Sequence, residues 1–239
     1  MSYGSSSMYA AGGDGCPPRA SGAALSFRLA TTQDEREAIY RLRYEVYALE
    51  NGFRPPGPDS YRAWEDASDT KATHLYALAD GKLIGALRIL SGADTAPHDE
   101  TSRAYDLARF DPCVPREKMA IAGRFALKRE YRAGTTFLQL FIESARLQKQ
   151  RGVELSFGDS PLALLPLYTS LGFQTYQAPY HHPVAGTLLP FVLVSGDLEY
   201  LRQIQSPIVA IADASTLPLD QTARPCRTAY YLRALTEMA

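Results

Sequence analysis

Two apolar runs joined by an aspartate–glycine pair, THLYALADGKLIGALRIL at residues 73–90, constrain the fold of this chain most strongly. Asp80 and Gly81 both tolerate the positive φ angles that a two-residue hairpin turn requires. The pair therefore predicts two neighbouring antiparallel strands. The patterns on either side of this hairpin then decide the class of fold.

Strand-like and helical patterns alternate around the hairpin. Further strands are predicted at 25–30, 118–127, 153–158, 173–178 and 187–196, and helices at 31–51, 134–151, 160–171 and 197–204. The order strand, helix, hairpin, strand, helix, strand, helix, strand, strand predicts a mixed αβ domain (α/β, α+β-like) with a central sheet. It does not fit a doubly wound nucleotide-binding fold.

Two of these helices carry specific expectations. Ser160 is predicted as the N-cap of the third helix, with Pro161 at its first position and Pro166 kinking or shortening it. The core stripe of the second helix is predicted at Phe137, Phe141, Ala145 and Gln148.

Composition narrows the class of protein. The formal net charge of −1 gives no overall attraction to nucleic acid or to anionic membranes. No apolar run approaches the roughly 18 residues that cross a bilayer. Three separated cysteines lie outside metal-binding spacing and indicate free thiols in a reducing cytoplasm: Cys16, Cys113 and Cys226. Residues 1–24, rich in Gly, Ser and Ala, are interpreted as a disordered leader, 25–208 as one domain, and 209–239 as an extension with a helical pattern at 228–238.

The stretch AIAGRFALKREYRAGTTF at 120–137 runs from a strand through a basic turn into a helix. A helix N-terminus offers unpaired N–H groups and partial positive charge, which suits a phosphate. The alternative is a solvated basic turn.

LYTSLGF at 167–173, following that strand–turn–helix unit, resembles the closing segment of the GNAT family of N-acyltransferases. The front half resembles the long-chain branch, which includes N-acyl amino acid synthases, ornithine-lipid acyltransferases and acyl-homoserine lactone synthases. The fragments that carry this second resemblance are YRLRYEVYALENGF (40–53), WEDASDTKATHLYALADGKLIGALRIL (64–90) and AGRFALKREYR (122–132). Over residues 25–208, the resemblance implies a GNAT fold with a mostly antiparallel mixed sheet of about seven strands flanked by helices.

The resemblance also implies binding residues. The donor phosphate or pantetheine is expected at the end of the fourth strand and in the basic turn, at Leu127, Arg129, Arg132, Gly134, Thr135 and Thr136. The acceptor pocket is expected at Arg43, Asp69, Arg88 and Arg124, which also form a structural ion network because buried arginines must be paired. A single glycine in RAGTTF fits one phosphate on a carrier better than the pyrophosphate of CoA.

Amide formation from a thioester needs a proton acceptor for the amine and an acid for the leaving thiolate. Tyr168 matches the tyrosine that acts as the acid in the family. The alternative interpretation is that Tyr168 is a core residue without a catalytic role. Relatives usually have a glutamate where this chain has Ile121, so the acceptor must lie elsewhere. Asp159 is one candidate, with helix capping as its alternative. Glu65 and Asp66 are others, while His181 and His182 are interpreted as surface histidines without a metal.

The resemblance therefore implies an N-acyltransferase that moves a fatty acyl group from acyl carrier protein (4′-phosphopantetheine), or from acyl-CoA, to an amine. The acceptor is expected to be an amino acid or a peptide Lys or ornithine side chain, attacked directly without an acyl-enzyme. No other cofactor is expected. One alternative is an acyl-homoserine lactone synthase, disfavoured by Phe53 in place of tryptophan and by the missing glutamate. Another is a degenerate GNAT domain that binds acyl chains or a carrier protein without turnover.

Overall fold

The computed structural model describes residues 24–55, 61–96 and 100–213, which divide into two compact units. The first runs to Arg88 and resumes over Arg124–Phe141, while the second contains Ile89–Gly123 and the chain from Ile142. Six α-helices are described: Gln33–Tyr44 (α1), Glu100–Ala104 (α2), Thr136–Gln150 (α3), Leu165–Leu171 (α4), Leu198–Gln203 (α5) and Val209–Asp213 (α6). Residues 1–23 of the predicted leader and the helical pattern at 228–238 lie outside the described residues.

In the described part of the chain, the sheet has eight strands: Leu25–Leu29 (β1), Thr73–Ala79 (β2), Lys82–Ser91 (β3), Met119–Leu127 (β4), Leu155–Ser160 (β5), Gln174–Thr175 (β6), Tyr180–His182 (β7) and Gly186–Val194 (β8). They pair in the order β1-β2-β3-β4-β5-β8-β6, with β7 also on β8. β4 and β5 are parallel, whereas β1–β2 and the pairs made by β8 are antiparallel. The predicted mixed αβ fold with a mostly antiparallel central sheet is confirmed. The eighth strand is β7, formed because the segment interpreted as a connection turns back along β8 through Gly186 at φ +77°.

The predicted start of α1 and the hairpin are also observed. The Thr32 hydroxyl accepts a hydrogen bond from the Glu35 N–H, and the Glu35 carboxylate accepts one from the Thr32 N–H, which makes a capping box. Asp80 and Gly81 adopt φ angles of 48° and 77° between β2 and β3. α1 continues as a π-helical turn over Glu45–Glu50.

α3 buries Gln148 as predicted, but the rest of its buried stripe differs from the predicted one. The buried positions are Thr136, Leu140, Ser144 and Gln148, whereas Phe137, Phe141 and Ala145 are only half-buried. The two phenylalanines stack on each other along the flank of the helix, and Phe137 also meets Phe125 edge-on. Polar residues occupy the buried face because Gln148 Nε2 donates to Ser144 Oγ at 3.0 Å.

α4 begins later than predicted. Ser160 is the last residue of β5, Pro161 is extended, and a 3₁₀ turn precedes the α-helix at Leu165. A helix from Pro161 would force the Pro166 ring against the carbonyl four residues earlier. Pro166 instead lies in the first turn of α4, where no N–H is needed. In the described ranges, no helix is long and apolar enough to cross a membrane.

Candidate functional site

An arginine–aspartate network, made of Arg43, Asp66, Asp69, Arg88 and Arg124, lies inside the first unit. Arg43 Nη1 donates to both carboxylate oxygens of Asp69 at 2.9 Å, and both side chains are buried. Arg88 Nη1 bridges Asp66 and Asp69 at 3.1 and 3.5 Å. Arg124 binds Asp66 through Nε and Nη2. The four predicted acceptor-pocket residues are therefore brought together, with Asp66 as a fifth member.

Four separate elements position this network. Arg43 comes from α1, Asp69 from a 3₁₀ turn before β2, Arg88 from β3, and Arg124 from β4. The Asp69 carboxylate also accepts the Asp66 N–H at 2.7 Å, which fixes the two acids relative to each other. Arg124 has a φ of +53° in the middle of a strand, a conformation that costs a non-glycine residue roughly 1–2 kcal/mol. The ion pair with Asp66 holds it there.

The network carries one net positive charge, because three guanidinium groups face two carboxylates. Burial raises the pKa of Asp66, but the charges of Arg124, Arg88 and Arg43 outweigh it and hold that pKa below 3.8. Within the described parts of the chain, the buried Nε atoms of Arg43 and Arg88 have no hydrogen-bond partner. A net positive, partly unsatisfied cluster is suited to a carboxylate-bearing ligand.

His74 belongs to the same cluster, and the sequence reasoning missed it. Arg43 Nη2 lies 3.1 Å from Nδ1, and Nε2 lies 3.1 Å from the Asp69 carbonyl oxygen. Because guanidinium only donates and a carbonyl only accepts, Nε2 carries the proton and the ring is neutral. Burial, and to a smaller extent the charge of Arg43, lowers the pKa of His74 below 6.5. His74 lies in the apolar run of β2, so no local pattern marked it.

Acidification should destabilise the protein through His74. The pKa of His74 is about 6.5 in the unfolded chain and lower in the folded protein. Between these two pKa values the unfolded chain binds more protons than the folded protein, so the free energy of unfolding falls as pH falls. We expect His74 to contribute up to about 1.4 kcal/mol for each pH unit inside that window. Urea unfolding from about pH 7.5 to pH 5 should show a shallower loss in His74→Gln than in the unaltered protein. Parallel pH curves for the two proteins would contradict the assignment.

The basic turn lies between the end of β4 at Leu127 and the start of α3. The Thr135 carbonyl accepts the Gln139 N–H at 2.9 Å, so Thr135 caps α3, and it is exposed together with Gly134, while Thr136 is buried. Arg132 donates to the Leu127 carbonyl at 2.8 Å and to Glu50 at 2.5 Å.

Arg132 therefore braces the turn instead of pointing outward as a counter-charge. Lys128 Nζ likewise lies 3.9 Å from Glu45. Arg129 is exposed and remains the candidate counter-charge of the turn.

A tyrosine–aspartate cluster, made of Tyr105, Asp159 and Tyr180, lies in the second unit. Both tyrosine hydroxyls donate to Asp159 Oδ2, at 3.1 Å from Tyr105 and 2.5 Å from Tyr180. Asp159 lies within β5 and bonds to these side chains, so the helix-capping alternative is wrong. Burial and then the charge of Asp159 raise the pKa of Tyr105 well above 10.0, so its hydroxyl stays a donor. Neither tyrosine was singled out from sequence, although recognising the β7–β8 turn could have placed Tyr180 on a strand.

Tyr168 lies on α4 and packs within an aromatic group. Its ring stacks on Phe191 at a centroid distance of 4.5 Å and meets Phe173 edge-on at 5.6 Å. A Cβ on Gly158 would lie 2.7 Å from Phe191 Cε2, so the Phe191 ring also packs directly on β5. Phe191 thus links the Tyr168 ring to the residue before Asp159.

The other candidate proton acceptors are less suitable. Ile121 is buried in β4 opposite Phe157, and its side chain accepts no proton. Asp66 has a lowered pKa and is occupied by arginines, while Glu65 is exposed. His181 is exposed, and the His182 ring accepts the N–H groups of the following turn. Of the residues that the structure describes, none form a cluster of three or more metal-binding side chains.

Residues 42–141 match the family model of an acetyltransferase (GNAT) domain. The matched segment contains the whole arginine–aspartate network, from Arg43 to Arg124, and the basic turn with the start of α3. Over this segment the chain is similar to a GNAT acetyltransferase domain. The predicted relationship to this family is confirmed.

Solved structures share the fold of this chain. FeeM, an N-acyl amino acid synthase from uncultured soil microbes, has a TM-score of 0.60 and 18% identity, covering 79% of this chain and 98% of that chain. BjaI, a CoA-dependent acyl-homoserine lactone synthase, has a TM-score of 0.59 and 17% identity, and the match covers 80% of this chain and 100% of BjaI. The acyl-homoserine lactone synthase LasI has a TM-score of 0.57 and 15% identity, and the match covers 72% of this chain and 91% of LasI. No curated protein matches the chain in sequence.

Proposed function

We propose that this GNAT acyltransferase moves a fatty acyl group from the thioester of an acyl carrier protein to the amine of an amino acid. A Lys or ornithine side chain of a peptide is the second acceptor of the same class, and acyl-CoA the second donor. The net positive charge of the buried arginine–aspartate network carries the proposal, because an amino acid brings a carboxylate that balances it. The fold shared with FeeM supports the same acceptor class.

The basic turn supports a donor with few phosphates. Arg132 and Lys128 are paired with Glu50 and Glu45, which leaves Arg129 to meet a phosphate beside the exposed N-terminus of α3. One phosphate, as on a carrier-bound phosphopantetheine, needs fewer cations than the phosphates of CoA. The preference for acyl carrier protein follows from this charge balance.

The proposed reaction is a direct attack of the amine on the thioester carbon. The C–N bond forms and the C–S bond breaks, and the thiolate takes its proton from Tyr168. Asp159 accepts the proton that the amine loses, because Ile121 cannot. General acid and general base each contribute about 10²–10⁴-fold in such reactions.

The test is an assay with medium- and long-chain acyl carrier proteins, pooled amino acids and basic peptides, with free thiol and product mass as readouts. We expect thiol release that depends on the acceptor, with a higher kcat/KM for the carrier protein than for acyl-CoA. Lack of such release with both donors would overturn the proposal. Lactone formed only with S-adenosylmethionine would identify an acyl-homoserine lactone synthase, and acyl binding without turnover a degenerate domain.

Arg129→Ala provides the donor test within this assay. We expect the KM for the acyl carrier protein to rise about tenfold while the KM for the amine stays the same, since a charge-assisted phosphate contact contributes about 1.5–3 kcal/mol. Arg146→Ala is the matched control, because Arg146 is also exposed on α3 but pairs with Glu143 in the middle of the helix. Equal KM values of the two variants for the acyl carrier protein would contradict the assignment of the donor phosphate to the basic turn.

A further inference from the structure

Among the residues that the structure describes, hydrogen-bond donors reach one oxygen of the Asp159 carboxylate only. Both tyrosine hydroxyls donate to Oδ2. Across residues 24–55, 61–96 and 100–213, no side chain or backbone group donates to Oδ1. The two oxygens of one carboxylate therefore have different roles available to them.

We propose that Tyr105 and Tyr180 are positioning residues that fix Asp159 through Oδ2 and leave Oδ1 as the atom that accepts the amine proton. This inference rests on the proposed function. It assigns two residues that the family resemblance did not point to, and it identifies the oxygen that acts.

Tyr105 is fixed by the structure around it. Its carbonyl oxygen accepts the Tyr176 hydroxyl at 2.7 Å, and its ring packs against Phe157 of β5. Gln177 Nε2 also donates to the carbonyl of the preceding residue, Ala104, at 2.7 Å. The segment after α2 is thus attached at two neighbouring residues, which holds the Tyr105 hydroxyl against Asp159.

Tyr180 is fixed by strand register. It lies opposite Leu188 of β8, while Asp159 of β5 lies opposite Pro190. Positions two apart on a strand face the same side of a sheet. β8 therefore aligns Tyr180 and Asp159, and their 2.5 Å hydrogen bond follows from that alignment.

Two donors on one oxygen have a chemical consequence. A carboxylate bound at Oδ2 by two anchored hydroxyls cannot rotate freely, so Oδ1 keeps one direction, as an efficient proton acceptor requires. As the C–N bond forms at the thioester carbon, the proton leaves the nitrogen for Oδ1, and water takes it after the product departs. The thiolate receives a separate proton from Tyr168, and water then returns a proton to the Tyr168 phenolate, so charge and atoms balance.

Chemical rescue tests the inference in the full-length protein. Asp159→Ala should lower kcat about 100-fold or more, and sodium formate should restore at least about tenfold by supplying a small carboxylate. In the double variant Asp159→Ala, Tyr180→Phe, formate should raise kcat several-fold less, because the hydroxyl that positions the carboxylate is missing. Tyr180→Phe and Tyr105→Phe alone should lower kcat about tenfold and leave both KM values within about twofold.

The control is Tyr200→Phe, which changes a half-buried tyrosine on α5 that makes no hydrogen bond with Asp159. Its kcat and KM values should be those of the unaltered protein. If the unaltered protein transfers acyl groups, an unchanged kcat in both Tyr105→Phe and Tyr180→Phe would overturn the inference. Equal formate rescue of Asp159→Ala with and without Tyr180→Phe would overturn it as well. An unaltered protein that transfers none would overturn the proposed function itself.

Discussion

Replacing Asp69 with asparagine is expected to lower the free energy of unfolding by about 3–5 kcal/mol. Asp69 accepts two hydrogen bonds from Arg43 and a longer one from Arg88, and the Arg43–Asp69 pair is completely buried. The substitution keeps the shape of the side chain but leaves a buried guanidinium without its counter-charge. Equilibrium unfolding in urea, followed by fluorescence and circular dichroism, measures the loss.

Glu37→Gln is the matched control for Asp69→Asn. Glu37 also pairs with an arginine, Arg41, but on the outside of α1, where the two side chains are 44% and 63% exposed. Water screens this pair, so its loss should cost less than about 0.5 kcal/mol. If the two variants were equally stable, the arginine–aspartate network would have no special structural role.

Replacing Tyr168 with phenylalanine is expected to lower kcat about 100-fold without unfolding the protein. The phenyl ring retains the stacking on Phe191 and the edge contact with Phe173, so only the hydroxyl is lost. Single-turnover thiol release measures the chemical step directly. An unaltered rate would return Tyr168 to a packing role in the core.

The leaving group distinguishes loss of the acid from a general disturbance of the site. An aryl thioester expels a stabilised thiolate that needs no proton, so Tyr168→Phe should be close to the unaltered protein with that donor, within about threefold. A disturbed site would slow both donors equally. The Tyr200→Phe variant serves as the control here as well.

Four members of the arginine–aspartate network were predicted from the resemblance to the long-chain GNAT branch, and their pairing was predicted because buried arginines need acids. Arg43, Arg88 and Arg124 each lie within or beside an apolar stretch, and a buried arginine requires an acid. The spacing typical of the long-chain GNAT branch then indicated Asp69. His74 escaped because a histidine in an apolar strand gives no comparable signal.

The tyrosine–aspartate cluster could not be predicted, because its members are far apart in sequence. Tyr105 is 54 residues from Asp159 and lies in a segment without periodicity. Tyr180 depends on β7, a strand of three residues that is formed by its pairing with β8 and not by its own pattern. Contacts of this kind follow from tertiary register, which local sequence does not encode.

The helix errors have a similar physical origin. The stripe of α3 was predicted to run through Phe137, Phe141 and Ala145 to Gln148, but Ser144 is buried where Ala145 was expected, because its hydroxyl accepts a hydrogen bond from Gln148. The start of α4 was predicted from Ser160 and Pro161, where capping preference competed with the clash that Pro166 would cause. In both cases a local preference lost to a second interaction a few residues away.

Under the proposed function, the shared carboxylates of the arginine–aspartate network restrict how the acceptor preference can change. Arg88 and Arg124 both bind Asp66, and Arg43 and Arg88 both bind Asp69. Because each acid serves two arginines, substitutions at these positions are strongly epistatic, and their effects do not add. Selection that moves one codon at a time passes through destabilised intermediates. Combinatorial libraries that vary all five codons together are the practical route to new acceptors.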